Sequence, residues 1–176
     1  MNAVELNEEV LFTRDPITKV SASDIALLKT KASQNRRKRV RLCAHRSTSD
    51  RMHEMLIVHA KGTYVRPHKH INKAESVHVI EGAMTVVFFD DSGNVLEVVR
   101  LGEHASGRPF FYRLSESYYH TVIPTSDVVV FHEATSGPFD RKDNVPAPWS
   151  PAEDDERAME KYMARLHELI ALHDAG

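Results

Sequence analysis

Short β-type runs separated by turns fill the sequence between about residues 39 and 135, which limits the fold more than any other feature of the chain. We predict strands at 39–44, 53–60, 63–68, 75–81, 83–90, 94–100, 110–114, 119–123 and 127–133. Many short strands at regular intervals favour an antiparallel sandwich or barrel over alternating β-α units. The runs 55–58 and 86–89 are apolar on both faces. The outer face of each must therefore pack against a helix or a second subunit, and we predict a homodimer on this ground.

Helical segments flank the strand-rich region. Residues 21–24 have the composition of a helix start, and an apolar stripe continues to about Ser33. Near the other end, Ser150, Pro151 and Glu153 match the N-cap, N1 and N3 positions of a helix. We predict one domain: an N-terminal extension with a short helix (1–35), a β-barrel (36–135), and a Pro-rich segment with a C-terminal amphipathic helix packed on the barrel (136–176).

Composition and charge exclude several classes of protein. Apolar residues make up 41% of the 176, and the formal net charge is −2. The basic run 36–39 is therefore an isolated patch, and a nucleic-acid-binding regulator is the least favoured function. The single cysteine, Cys43, excludes an internal disulfide framework and a cysteine-only zinc site. The N-terminus lacks a signal peptide pattern and no apolar stretch is long enough to span a bilayer, so we expect a cytoplasmic protein without membrane contact.

The segment from Gly62 to Gly82 carries the chemistry. His68 and His70 are two residues apart, so their rings project from the same face if the segment is a strand. Glu75 follows after a gap long enough for a turn back to a neighbouring strand. Two imidazoles and a carboxylate suit one divalent ion, either iron, manganese, nickel, cobalt or zinc. If Glu75 faces inward on 75–81, strand alternation points His78 outward and excludes it as a ligand.

A resemblance to a known family extends this set. Gly62, five residues, His68-x-His70, four residues, Glu75, six residues and Gly82 reproduce the first cupin motif. The resemblance implies an all-β protein with a double-stranded β-helix, the cupin jelly-roll barrel, and a metal ion held at its mouth by three histidines and a glutamate. His120 is the position that fits the histidine of the second cupin motif. The usual Pro-x-Gly before that histidine is missing, and Pro124 stands where asparagine is typical.

A narrower resemblance covers about residues 20–151. The runs 41–45, 53–57, 120–124, 131–133, 137–139 and 147–151 look like those of the WbuC-type cupin-fold metalloproteins. This family is associated with bacterial surface-polysaccharide gene clusters. The resemblance implies a sugar or nucleotide-sugar substrate class by analogy, and it does not specify a reaction.

Other side chains are candidates for the walls of the site. A guanidinium matches carboxylate or phosphate bidentately, so Arg41, Arg46 and Arg66 are candidates for binding an anionic small molecule. Tyrosines can supply a proton relay or an apolar wall, and the candidates are Tyr64, Tyr112, Tyr118 and Tyr119. Cys43 and His45 are expected at a strand end lining the pocket. His132 is a candidate for supporting a metal-bound imidazole, with hydrogen bonding in the core as the alternative.

Two functions follow from a single metal site. The favoured one is a metal-dependent enzyme in which the ion acts as a Lewis acid on substrate oxygen atoms. A redox-inert ion would support isomerase or lyase chemistry, and iron(II) would support dioxygenase chemistry. The alternative is a non-catalytic metal-containing module that binds a small sugar-like ligand. A titratable side chain beside the ion, but not bound to it, would favour the enzyme.

Overall fold

The computed structural model describes residues 1–173, which form two β-sheets, two α-helices and two short 3-10 turns. The helices are α1 (Ala22–Gln34) and α2 (Glu156–His173), and the turns lie at His104–Ser106 and Arg141–Asp143. The strands are β1 (Ala3–Asn7), β2 (Val10–Thr13), β3 (Arg39–Cys43), β4 (Met52–Ala60), β5 (His68–His70), β6 (Glu75–Glu81), β7 (Ala83–Phe89), β8 (Val95–Gly102), β9 (Phe111–Leu114), β10 (Tyr119–Pro124), β11 (Val128–Ser136) and β12 (Asn144–Pro146).

The strands form two sheets that face each other. One has seven strands in the order β1-β2-β3-β4-β11-β6-β9, and the other has five in the order β12-β5-β10-β7-β8. Every pair is antiparallel except β2 with β3. Strands that are distant in the chain are neighbours in the sheets, as in β4-β11-β6 and β5-β10-β7. This confirms the predicted jelly-roll barrel of the cupin type.

Alternation along each strand separates an inner from an outer face. On β7, Met84, Val86 and Phe88 belong to the core between the sheets, while Val87 and Phe89 belong to a separate outer cluster. The inner core is completed by apolar side chains from seven other strands, namely Val10, Cys43, Met55, Ile57, Val77, Val79, Leu101, Val122, Val129 and Phe131.

Each helix covers an outer face that is apolar in sequence. Helix α1 places Leu28 and Ala32 against Leu42 and Val58 of β3 and β4. Helix α2 places Leu166 and Ile170 against the outer face of β7 and β10. The two-faced apolar runs at 55–58 and 86–89 are thus covered within one chain, so they no longer argue for a second subunit.

Several local predictions were wrong. The C-terminal helix begins at Glu156, and Asp155 caps it by accepting from Ala158 N at 3.0 Å. Ser150 is instead buried, and its hydroxyl donates to the Ala147 carbonyl at 2.8 Å. The run 63–68 is a strand only from His68, because the Thr63 hydroxyl donates to the carbonyls of Lys38 and Ala60 and holds a turn. Strands β1, β2 and β12 were not predicted.

Helix α1 agrees closely with the sequence-based expectation. Ser21 is its N-cap, with a capping box to Asp24, and burial of Leu28 and Ala32 matches the predicted stripe. Within residues 1–173, neither helix is long and apolar enough to cross a membrane.

Candidate metal centre

Three histidines of the five-stranded sheet meet at the inner wall of the barrel. His68 and His70 lie on β5, and His120 lies on the adjacent β10 directly opposite His68 in the strand register. Ligand atoms of the three rings all lie within 4.8 Å of one another. The antiparallel pairing of β5 with β10 therefore brings together side chains that are about 50 positions apart in the chain.

Glu75 approaches the same point from the opposite sheet. It begins β6 and is 3% exposed. One carboxylate oxygen (Oε2) lies 3.2 Å from His70 Nε2, and the other (Oε1) lies 3.3 Å from His120 Nε2. The Tyr112 hydroxyl donates to Oε1 at 2.8 Å and fixes the orientation of the carboxylate. We call His68, His70, His120 and Glu75 the candidate metal centre.

Backbone carbonyls select the tautomers of two of the rings. Nδ1 of His68 lies 2.9 Å from the Arg66 carbonyl oxygen, and Nδ1 of His120 lies 3.2 Å from that of Tyr118. A carbonyl can only accept, so Nδ1 carries the proton in each ring. In the neutral ring each Nε2 then keeps its lone pair, which is the form of imidazole that binds a metal ion.

The ring planes also converge. A ring nitrogen's lone pair lies in the plane of the ring, so a shared ion must lie close to all the planes. The planes of His68 and His70 are 79° apart, and that of His120 is about 50° from each of them. Planes inclined this steeply intersect near the rings. The donor set and its orientation therefore fit one divalent ion of the first transition row.

Electrostatic interactions within the centre favour the ligating forms of Glu75 and His68. Burial opposes ionisation of Glu75, but His120 and His70 outweigh it and hold the pKa of Glu75 well below its usual range. Removal from water, together with the neighbouring His120 and His70, lowers the pKa of His68 to about 3. At neutral pH, Glu75 is thus a carboxylate and His68 a neutral imidazole.

The alternation predicted for residues 75–81 is confirmed. Glu75, Val77 and Val79 are buried on the inner face of β6, and His78 is exposed on the outer face beside Phe110. His78 is therefore not part of the candidate metal centre.

A cavity of about 940 Å³ extends from the candidate metal centre along the inner face of the seven-stranded sheet. Its apolar wall includes Ile57, Val77 and Phe131. Glu133 of β11 also lines it, opposite Val77 in the strand register and therefore next to Glu75 on the same face. Burial, with the nearby Glu75 carboxylate, raises the pKa of Glu133 to about 7.

A second group of histidines lines the same cavity. His45 and His53, the stacked pair, have ring centroids 4.0 Å apart and planes inclined by only 9°. Glu54 N–H donates to Nδ1 of His45 at 3.2 Å, with the Glu54 carbonyl oxygen equally close. His59 lies further along β4, with its Nδ1 buried and without a hydrogen-bond partner among residues 1–173.

Some of the predicted pocket residues do line this cavity. Arg41, Cys43 and His45 contribute side chains to its wall. Arg66 also lines it, but its guanidinium donates to Ser150 Oγ at 3.1 Å and to the carbonyls of Ala147 and Ser150. Arg66 therefore holds the segment before α2 against the barrel, and its Nε and Nη2 donors are occupied.

Four other predicted residues lie outside the cavity wall, which corrects their assignment. Arg46 is exposed in the turn after β3, and Tyr118 is 45% exposed. The Tyr64 hydroxyl donates to the Pro151 carbonyl at 3.0 Å, so this side chain packs under the C-terminal segment. His132 faces outward on β11 and lies 3.8 Å from Glu54 Oε1, because Phe131 and Glu133 occupy the inner face on either side of it.

Two residues of the site were missed or left undecided by sequence reasoning. Glu133 was grouped with His132, although burial of Phe131 on the inner face would have assigned Glu133 to that face by alternation. Tyr112 was one of four undifferentiated tyrosines. The contact of Tyr112 with Glu75 depends on the pairing of β9 with β6, which no local sequence pattern predicts.

Comparisons with known proteins agree with this architecture. A family model described as a domain of unknown function, DUF6016, matches residues 20–101. No curated protein matches the chain. Among solved structures, the chain is similar to protein SO0799 from Shewanella oneidensis, with 13% identity and a TM-score of 0.54 over 73% of this chain and 85% of that one.

Two further structural matches are partial. Oxalate decarboxylase from Bacillus subtilis gives 17% identity and a TM-score of 0.46 over 56% of this chain, and procruciferin, an 11S globulin from Brassica napus, gives 15% and 0.42 over 50%. The chain spans only 24% of the length of the oxalate decarboxylase chain. Sheet topology and the likeness to SO0799 together define a protein of the cupin fold, with a histidine cluster that can hold a metal ion.

Proposed function

We propose that the chain is a mononuclear metal-dependent enzyme of the WbuC type, acting on a small sugar or sugar-nucleotide-like substrate in surface polysaccharide biosynthesis. The observation that carries the enzymatic part is the position of Glu133. This carboxyl group faces a cavity of about 940 Å³ beside the candidate metal centre and is outside the ligand set. A homodimer and a cytoplasmic location remain predictions from the sequence.

The candidate metal centre would hold the ion through Nε2 of His68 and His120, a ring nitrogen of His70 and the Glu75 carboxylate. When bound, a divalent ion would supply Lewis-acid polarisation of a substrate oxygen atom. Tyr112 would act through Glu75, because its hydroxyl donates to the carboxylate at 2.8 Å. Iron, manganese, nickel, cobalt and zinc all suit this donor set.

Glu133 is suited to moving a proton at the substrate. Glu133 pairs in register with Val77, and Thr135 pairs with Glu75. Glu133 is therefore displaced from Glu75 by one inward-facing position along the neighbouring strand. Its side chain is partly buried in an apolar stretch of wall and makes no hydrogen bond to residues 1–173. A substrate between the candidate metal centre and this wall would be in reach of its carboxyl oxygen atoms.

The test combines elemental analysis of the purified protein with a turnover screen of nucleotide sugars and keto acids, with and without oxygen. We expect one divalent ion per chain and turnover of at least one compound. Glu133→Gln should lower kcat by about 100-fold or more, the usual size of a general acid–base contribution, with unchanged metal content. Glu160→Gln, on the exposed side of α2, is the matched control and should retain wild-type turnover.

The outcomes separate the alternatives. Turnover that requires oxygen indicates iron and dioxygenase chemistry, and turnover without oxygen indicates isomerase or lyase chemistry. Full activity of the Glu133→Gln variant contradicts the role of Glu133. A metal-loaded protein that binds compounds from the screen but converts none of them is a binding module.

A further inference from the structure

The basic side chains that line the cavity differ in whether they have partners. There are six of them: Arg37, Arg39, Arg41, Arg66, Lys73 and Arg141. Arg37 and Arg39 share the carboxylates of Glu9 and Glu153. Arg66 donates to Ser150 and Ala147, and Lys73 pairs with Asp143 at 3.1 Å. Of these six, only the side chains of Arg41 and Arg141 have neither an ion pair nor a hydrogen bond to another residue among residues 1–173.

The backbone fixes the direction of Arg41. Its neighbours Val40 and Leu42 are 1% and 0% exposed and pack beneath α1. Alternation along β3 then turns Arg41 to the inner face, together with Arg39 and Cys43. Arg41 and Arg141 are both exposed to solvent, but Arg141 lies in a 3-10 turn at the cavity mouth, beside Asp140 and Asp143 in the chain.

The surroundings of Arg41 do not neutralise it. It pairs in register with Ile57 of β4, and the next strand across is β11, which carries Glu133. Two strand spacings separate β3 from β11, or roughly 10 Å between backbones. Arg41 and Glu133 both line the cavity, and the side chain of each has no ion pair or hydrogen bond to the described residues.

We propose that Arg41 determines specificity in this cavity by binding the anionic group, carboxylate or phosphate, of a small hydroxylated ligand. The inference rests on the proposed function, since the uncharged oxygen atoms of the same ligand would face the candidate metal centre. A guanidinium binds a carboxylate or phosphate through two parallel hydrogen bonds and is more weakly hydrated than an ammonium group. A volume of about 940 Å³ admits a sugar-sized acid, and Arg41 and the candidate metal centre both line it.

Calorimetric titration of the metal-loaded protein with three related compounds tests this proposal. The probes are glucuronate, glucose 6-phosphate and glucose, which share a sugar ring and differ in the anionic group. In the wild type we expect at least one anion to bind about tenfold or more tightly than glucose, the size of a charge-assisted hydrogen bond. Preference for glucuronate identifies a carboxylate ligand, and preference for glucose 6-phosphate identifies a phosphate ligand.

Two variants assign the effect to one side chain. Arg41→Met keeps length and apolar contact but removes the charge, and should abolish the preference for the anion. Arg46→Met, at an exposed position outside the cavity, should leave it unchanged. Arg41→Lys keeps the charge without the bidentate geometry and should give an intermediate preference.

The inference is overturned if neither anion binds more tightly than glucose, or if Arg41→Met retains the preference. Metal content is measured separately on every sample. A protein that holds its ion but lacks the Arg41-dependent preference contradicts this inference alone. A protein that binds no metal contradicts the proposed function, whatever its affinity for anions.

Discussion

Two histidine clusters line one cavity, and only one of them has the geometry of a metal site. In the candidate metal centre, the ring planes are inclined by about 50° to 79° and the ligand atoms of the three histidines lie within 4.8 Å of one another. In the stacked pair of His45 and His53, the planes are inclined by 9°. Nearly parallel planes 4.0 Å apart at the ring centroids share no nearby point, so no ion can lie in both.

The backbone contacts of the rings also differ between the two clusters. Carbonyl oxygens at Nδ1 leave Nε2 of His68 and His120 free to bind a metal ion. At His45 the Glu54 N–H and the Glu54 carbonyl oxygen both lie 3.2 Å from Nδ1, so the backbone selects neither tautomer of this ring. The metal site in this barrel is therefore defined by ring planes that converge and by backbone carbonyl oxygens at Nδ1, the nitrogen that does not face the ion. The number of histidines does not define it.

The largest expected effect separates the two clusters directly. His68→Ala/His70→Ala removes two of the four candidate ligands, and bound metal should fall from about one ion per chain to none in elemental analysis. His45→Ala/His53→Ala is the matched control and should retain its ion, with circular dichroism reporting that both variants are folded. Equal metal content in the wild type and the His68→Ala/His70→Ala variant would remove the metal assignment.

A smaller effect is expected from the tyrosine behind the carboxylate. Tyr112→Phe keeps the ring packed edge-on to Phe88 but removes the hydroxyl that donates to Glu75 at 2.8 Å. Loss of such an outer hydrogen bond should weaken metal affinity about 10- to 100-fold in a competition titration with a chelator. Tyr162→Phe is the control, because its hydroxyl is buried without a partner among the described residues. If both variants bind metal alike, Tyr112 does not orient Glu75.

Local periodicity predicted those parts of the site that lie on one regular strand. Residues 75–81 form an uninterrupted strand, so the inward positions of Glu75 and Val77 and the outward position of His78 followed from a period of two. The register of His120 opposite His68 joins distant strands, and only the resemblance to the cupin motifs indicated it.

The errors arose where side chains serve tertiary contacts. Ser150 and Pro151 have the composition of a helix start, but Ser150 instead hydrogen-bonds to Ala147 and Arg66. Arg66 was predicted to bind an anion, yet backbone carbonyls of the same segment occupy its donors. Strands β1 and β2 exist because β2 pairs in parallel with β3, a contact across more than 25 residues of chain that the N-terminal sequence does not reveal.

The smallest effect concerns His59, the third histidine that lines the cavity outside the candidate metal centre. Burial lowers the pKa of His59 from 6.5 to about 3. His59 therefore binds a proton near pH 6.5 in the unfolded chain but stays neutral in the folded protein. Above that pH it does not destabilise the fold, and below it the destabilisation increases as the pH falls toward 3. Between pH 7.5 and 5.5 the resulting loss is about 1.4 kcal/mol in the free energy of unfolding.

Replacing that ring isolates its contribution. His59→Leu removes the titrating group and its unpartnered buried Nδ1, so urea unfolding at the two pH values should show a loss smaller than the wild-type loss by about 1.4 kcal/mol. His78→Gln removes an exposed imidazole on the outer face of β6 and serves as the control. If His59→Leu loses as much stability on acidification as the wild type, the prediction is wrong. His59 would then have the same pKa in the folded and unfolded states and would be protonated in the folded cavity at pH 5.5.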